Sequence, residues 1–453
     1  MSNLGENQIS RRAFLRAQPG AVLGLATLGS SALSSLANRA LAAAPEMAAA
    51  TGTARNSAKP KVGVFAWGPG PQSGLPWWSG GWSALEHLEK LRTDSATGKV
   101  SGLDQVLVYA RNGGWNITKL LNIGETNSNH IWLSQRGCPS LNIAYRVWPS
   151  SLKETADKTA WRSHIVSQWP ASFGTKSEHW DMWMSPRVPV GWKDGMDAAT
   201  GRALAVEVWR KAADGYFNRM WENLARTMKG TYLDKHKLGH VKLIFRPFWE
   251  CNNTCEVGQP HAINSSSYAC CETDDEVAAA RRGQEECVRM IKQVFPEALA
   301  HWCPLKKGKT KRNIELYCPD NADIIGPDYY DNWPASRTQA EWDINVMTTG
   351  VEGGPVGLQR WLDFCKKQGK PLGIGEWGIG DETEEATNLH GGDNPIFIRN
   401  MIGFFWKNRD WMAYEAYFNS QSHRLEASNK PANPKASAAY RAAWATLRDS
   451  RGA

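Results

Sequence analysis

The chain has 453 residues, of which 42% are apolar and 22% charged, with a formal charge of +8. This balance supports a folded core and excludes a disordered or collagen-like chain. Nothing in the distribution of its basic residues points to a nucleic-acid partner. Tryptophan is the outlier, with 23 against 11 Tyr and 12 Phe; its flat apolar face is well shaped to cover a sugar ring.

The N-terminus reads as an address and not as fold. Ser10-Arg-Arg-Ala-Phe-Leu-Arg16 matches the twin-arginine export pattern, with a mildly apolar stretch over 21–36 and small residues at 40–42 behind it. Residues 1–44 are therefore expected to be a signal peptide, 45–58 a flexible lead-in and 59–453 the folded domain, delivered to the periplasm or beyond the cell. The apolar stretch is too short and too rich in Gly and Ser to serve as a ~20-residue span, so no membrane partner is expected after cleavage.

From residue 59 onward strands and helices alternate. Apolar runs predict strands over 62–66, 105–110, 141–147, 241–245, 298–302, 323–326, 371–375 and 411–419. Helical periodicity predicts helices over 82–91, 203–227, 274–294, 356–368, 394–408 and 437–448. Between the third and fourth strands lies an excursion over 149–197 that holds Trp161, Trp169, Trp180, Trp183 and Trp192. Loops of this length inside a domain are usually functional or disordered. Eight strands alternating with helices make a single (β/α)8 TIM barrel with long βα loops the expected fold. The competing architecture, a doubly wound open sheet, lacks its Gly-rich phosphate turn after the first strand, because Pro and Trp interrupt the glycines of 68–81.

Barrel enzymes work at the C-terminal mouth of their strands. That rule selects Trp67, Arg146, Arg246, Trp249, Glu250, Asn252, Asp328, Tyr330, Glu376 and Trp377. Two of these are glutamates at the ends of apolar strands, the fourth and the seventh, each beside a tryptophan. Paired carboxylates suit the cleavage of a glycosidic bond. The leaving oxygen needs a proton from one carboxyl, while the other attacks the anomeric carbon or activates water. Arg246, Asn252 and Asn253 are placed to hold a carboxylate or sugar hydroxyls, and Tyr330 to keep one glutamate ionised. Phe248 and Trp249 would form an apolar wall beside Glu250.

The segment Arg246-Pro-Phe-Trp-Glu-Cys-Asn-Asn253 resembles the Arg-Pro-Phe-His-Glu-Met-Asn-Gly segment of glycoside hydrolase family 26, the mannanase-type retaining enzymes of clan A. Gly326-Pro-Asp-Tyr-Tyr-Asp331 resembles that family's strand-six segment, and Lys370-Pro-Leu-Gly-Ile-Gly-Glu-Trp-Gly378 its nucleophile strand. The resemblance implies Glu250 as acid/base, Glu376 as nucleophile and Tyr330 as the nucleophile's hydrogen-bond partner. The family's His before the acid/base is Trp249 here, a departure that changes a subsite contact.

Four of the nine cysteines, Cys251, Cys255, Cys270 and Cys271, fall in one segment beside Glu250. One or two disulfides are expected to pin it, given the oxidising destination. A zinc site with His261 is the alternative, although the spacing is not a familiar one for zinc. Several of the remaining cysteines (Cys138, Cys287, Cys303, Cys318, Cys365) read as buried small hydrophobes. The functional expectation is a monomeric, retaining endo-glycosidase acting on a β-linked polysaccharide, without metal or organic cofactor. Mannan is the family default, while xylan, mixed-linkage glucan or a bacterial exopolysaccharide remain open. The competing class is a carbohydrate-binding barrel that has lost turnover.

Overall fold

The structure is a computed structural model that describes strand backbone at 61–65, 105–109 and 140–145, then 206–252, 271–380, 389–419 and 423–449 apart from scattered positions. The expected signal peptide 1–44, the lead-in 45–58, the excursion 149–197, Trp67, Arg146, Asn253, Cys138, Cys255, Cys270 and His261 lie outside the described residues.

All eight expected strands are present as β1 (Lys61–Phe65), β2 (Gln105–Tyr109), β3 (Ser140–Tyr145), β4 (Lys242–Pro247), β5 (Leu299–Trp302), β6 (Ile324–Ile325), β8 (Leu372–Gly378) and β9 (Met412–Tyr417). A two-residue extension, β7 (Tyr329–Tyr330), lies between β6 and β8. Every pairing among these strands is parallel. The ladder runs β6-β5-β4-β3-β2-β1-β9-β8-β7, and the pair Ile325↔Leu372 brings β6 against β8, so the order of pairing returns on itself. This is the (β/α)8 TIM barrel. At the β6–β8 seam a Cβ on Gly326 would lie 1.8 Å from Gly373 O, so only glycine permits the approach.

Alternation along the strands separates two apolar layers. On β4, Leu243 and Phe245 join the large cluster shared with the helices, while Ile244 joins an inner group with Ile324, Tyr414 and Ala416. Arg246 follows the parity of Ile244, which turns a guanidinium into the barrel.

On β8 the parity breaks. Leu372 and Ile374 belong to the outer cluster, and Cβ atoms on Gly373 and Gly375 would point at inner groups. Between Ile374 and Trp377 the register to β9 slips by one residue, from Ile374↔Glu415 to Trp377↔Tyr417. A bulge of this kind places two successive residues against one partner and re-aims a side chain. Without it Glu376 would share the outward face of Ile374; with it the carboxylate faces the site and Trp377 faces the helices.

The helices cover the outer layer. The described ones are α1 (Asn218–Lys229), α2 (Asp274–Val294), α3 (Gln339–Asn345), α4 (Leu358–Lys367), α5 (Pro395–Lys407) and α6 (Pro434–Asp449). None of them is long and apolar enough to cross a membrane. α2 begins in a capping box between Thr273 and Glu276, with three acidic residues in its first turn to complement the helix dipole. It buries Val277, Ala280, Gln284, Cys287, Val288 and Ile291, one face at helical spacing. The expected helix over 203–227 is broken, because Gly215 takes φ +79° and ends the first piece before α1 begins. The short helix α3 is an addition to the expected set, started by a capping box between Thr338 and Glu341.

Cys287, Cys318 and Cys365 are buried in the outer layer as the sequence suggests. Cys251 and Cys271, expected within a disulfide-pinned segment, are buried too, and no two of the six described cysteines are joined to one another.

Candidate active site

Strand β4 delivers three groups to the mouth of the barrel. Its last turn bends sharply, with Phe248 at φ +56° and Glu250 at φ +55°. Left-handed backbone at non-glycine residues costs roughly 1–3 kcal/mol each and persists where the surroundings enforce it. Here the Glu250 amide donates to Cys303 O at 2.9 Å, which ties the turn to the end of β5. Phe248 is buried against Trp209 and Trp221, with ring centroids 5.0 and 6.3 Å away, so it belongs to the helix layer and not to a wall over Glu250. Trp249 is half-buried and packs against the inner apolar group.

Arg246 is fully buried and bridges two carboxylates. Its Nη1 donates to Asp328 Oδ1 at 2.8 Å and its Nη2 to Glu376 Oε1 at 3.0 Å. The other oxygen of Glu376 accepts from Tyr330 Oη at 2.8 Å. Both oxygens of that carboxylate therefore meet a donor, one a guanidinium and the other a phenol. Carboxylate oxygens of Glu250, Asp328 and Glu376 all come within 4.8 Å of one another.

Three converging carboxylates are also how a divalent cation is gripped. Here the cation is the guanidinium, which already occupies an oxygen of Asp328 and of Glu376. Asp328 is fully buried, and among the described residues its Oδ2 has no hydrogen-bond partner. Burial first, then the neighbouring charges of Glu376 and Glu250, push its carboxyl well above the usual range, with Arg246 opposing. Its surroundings thus favour the neutral form of the Asp328 carboxyl.

Several expected contacts take other roles. Trp377 is not at the mouth as a substrate contact: it is fully buried, packs on Phe397, Phe405, Tyr417 and Tyr440, and donates Nε1–H to Glu415. The β8 bulge is the physical reason, since turning Glu376 inward leaves Trp377 outward. Asn252 is buried and clasps Leu305, donating to its carbonyl at 2.9 Å and accepting from its amide at 2.7 Å. Its amide therefore braces the loop and does not offer itself to sugar hydroxyls.

Sequence reading misses two parts of the site. Cys303, which follows the last residue of β5, donates to Asp328 Oδ1 at 3.0 Å and accepts from Arg246 Nη1 at 3.3 Å, so it is part of the polar cluster and not mere filler. Its position one residue past a strand end is the available signal. Beneath it, His301 is fully buried, with Nε2 at 3.1 Å from Gly326 O and Nδ1 against Tyr414 Oη. Because Gly326 O can only accept, Nε2 carries the proton and Nδ1 receives the tyrosine hydroxyl. Burial, then the Arg246 charge, holds this imidazole well below its ordinary range and so neutral.

No protein-family profile matches the sequence, and no curated protein matches it. Solved structures do match in chain trace. A glycoside hydrolase family 26 β-mannanase from Bacteroides ovatus is 12% identical, over 85% of this chain and 87% of that one, with a TM-score of 0.41. A glycoside hydrolase family 5 enzyme from Prevotella bryantii is 13% identical, over 69% and 84%, with a TM-score of 0.36. A family 5 xyloglucanase from Bacteroides ovatus is 13% identical, over 70% and 66%, with a TM-score of 0.34. These are similarities of trace; what the site can do follows from its own side chains.

Proposed function

We propose that the chain is a retaining endo-glycoside hydrolase that cleaves a β-linked polysaccharide by double displacement, with Glu376 as nucleophile and Glu250 as acid/base. The observation that carries this reading is the approach of the two carboxylates, whose oxygens come within 4.8 Å. Retaining enzymes hold their carboxyls about 5–5.5 Å apart, whereas inverting ones leave ~6.5–9.5 Å for a water between them. In the first step Glu376 attacks the anomeric carbon while Glu250 protonates the departing oxygen and the glycosidic bond breaks. In the second, Glu250 takes a proton from water, whose oxygen displaces Glu376 from the sugar. Arg246 and Tyr330 hold Glu376 ready, one at each oxygen. Mannan is the substrate that the family resemblance suggests first, and endo action follows from the same resemblance. Export through the twin-arginine route, proposed from Ser10–Arg16, would bring the enzyme to such a polymer.

The test is a glycan panel that includes mannan, xylan and mixed-linkage glucan, with the first-formed anomer read by proton NMR. A β-anomer released from a β-glycan is the expected result; an α-anomer would overturn the assignment. The second reading, a binding barrel without turnover, is favoured only if glycans bind and no reducing ends form.

A further inference from the structure

Lys306 is a buried base that the proposed chemistry does not use. It lies in the loop that leaves β5 and is 8% exposed. Its backbone and its side chain are both committed to the strand-six segment. The Lys306 amide donates to Asp328 O at 3.0 Å, and Nζ donates to Tyr330 O at 2.6 Å. The same Nζ lies 4.6 Å from the centre of the Tyr329 ring. One residue therefore straps Asp328, Tyr329 and Tyr330. The outer two of these carry the side chains around Glu376: Asp328 through the shared Arg246, and Tyr330 directly.

We propose that Lys306 is a positioning residue of this site, whose ammonium holds the backbone of the Tyr329–Tyr330 segment so that Tyr330 Oη meets Glu376, and whose loss of a proton loosens that strap. A buried ammonium with a single carbonyl acceptor and one ring face is a costly arrangement, and in such a place the charge is easily surrendered. Burial pulls this amine down to about 7, with the charge of Asp331 opposing and that of Lys307 adding to the fall. The charged form has three N–H donors and a full charge for the ring, whereas the neutral amine keeps two weaker donors and no charge. The strap is thus tight below neutrality and slack above it.

Other groups facing this region could mimic the effect. Asp331 is the carboxylate nearest in influence, itself pushed upward by burial and answered by Ser336, Asn394 and Arg337. The ring of His423 lies 4.7 Å from that of Tyr330, centre to centre, and Glu376 is at the hydroxyl. A substitution that keeps the charge and removes the titration separates Lys306 from these.

The test follows the ζ-carbon of Tyr330 by NMR in the full chain labelled with 13C-tyrosine, from pH 5.5 to 9, assigned with Tyr330→Phe. Wild type should show a transition near pH 7. Lys306→Arg should hold the low-pH shift throughout, and Lys306→Met the high-pH shift. A flat wild-type curve would overturn the proposal, as would a transition that survives in Lys306→Arg, which would belong to His423 or Asp331. Should Lys306→Arg fail to fold, Lys306→Met decides, because a transition that survives loss of the amine cannot belong to it. A flat wild-type curve overturns the proposal without either variant. The kinetic consequence rests on the glycosidase reading: on any glycan that the protein hydrolyses, Lys306→Arg should extend the alkaline limb of kcat upward by about one pH unit with KM unchanged. Because the NMR arm needs no substrate, a strap seen without turnover would leave this proposal standing while the functional reading fell.

Discussion

At the scale of single residues the site turns on how one guanidinium is shared. Arg246 bridges Asp328 and Glu376 with two nitrogens of a rigid planar fork, a geometry that a lysine point charge cannot reproduce. Burial and the neighbouring carboxylates push the Asp328 carboxyl upward, while Arg246 opposes that rise. The two glutamates should then respond differently to removal. Glu376→Ala should abolish turnover on every substrate, a loss of at least ~10⁴-fold in kcat on the scale of a lost nucleophile. Glu250→Ala should lose activity on natural glycans but retain it on aryl glycosides with activated leaving groups, which need no proton. Added azide should speed that variant and yield a glycosyl azide, seen by mass spectrometry. An active Glu376→Ala enzyme would remove the assignment.

Among the elements, β8 matters most, because its interior carries the close packing that the site requires. A methyl at Gly375 would stand 2.2 Å from Arg246 Nη1, 2.6 Å from Cys303 Sγ and 2.7 Å from Asp328 Oδ1. Gly375→Ala should therefore displace the bridge, cost about 1–3 kcal/mol of stability as an overpacked core position, and lower kcat on all substrates. Gly403 on α5 is exposed, and a methyl added there would meet nothing within 4 Å. Gly403→Ala should instead stabilise by ~0.5–1 kcal/mol through helix propensity. Denaturant midpoints of the pair, read beside kcat, separate pressure on the site from a generic glycine effect. This strand also marks the limit of sequence reading. Its apolar run and its glutamate are legible, and the mouth rule then places both Glu376 and Trp377 at the site. Only one belongs there, since a one-residue slip against β9 leaves no trace in hydrophobic pattern. The break at Gly215 and the capping box at Thr338 are legible in principle, because both rest on local residue chemistry. The fork of Arg246 between Asp328 and Glu376 is not, because it joins three strands far apart in sequence.

For the molecule as a whole, the buried titratable groups set how stability follows pH. His301 is neutral and buried in the fold and titrates normally once unfolded. Between its depressed folded value and about 6.5 the unfolded chain binds more protons, so His301 adds stability that is complete above about 6.5 and is lost as pH falls. Asp328 acts in the opposite sense. Its folded value is raised, so above the ordinary carboxylate range its contribution declines as pH rises. Urea unfolding at a series of pH values should show the His301 part as a slope of up to ~1.4 kcal/mol per pH unit below pH 6.5, and His301→Gln should flatten it. An unchanged slope in that variant would show that the imidazole titrates alike in both states. The eight-strand architecture is readable from apolar runs alone, because strands of a parallel sheet covered on both faces read as near-continuous apolar segments whatever their partners. These buried charges are not, because burial depth is a property of the assembled barrel.

The slip in β8 also bears on how such a protein can change over generations. Deleting the extra residue, Gly375, would leave Ile374 outward, Glu376 inward and Trp377 outward in simple alternation, so the slip against β9 would vanish while the carboxylate kept its direction. Removing codon 376 instead would restore the same pairing and leave Gly375 in the place of the carboxylate, so a hydrolase and an inert sugar-binding scaffold stand one indel apart. Grafting this strand into another barrel therefore has to carry Glu376 and Trp377 as a pair, one turned to the site and the other to the helices.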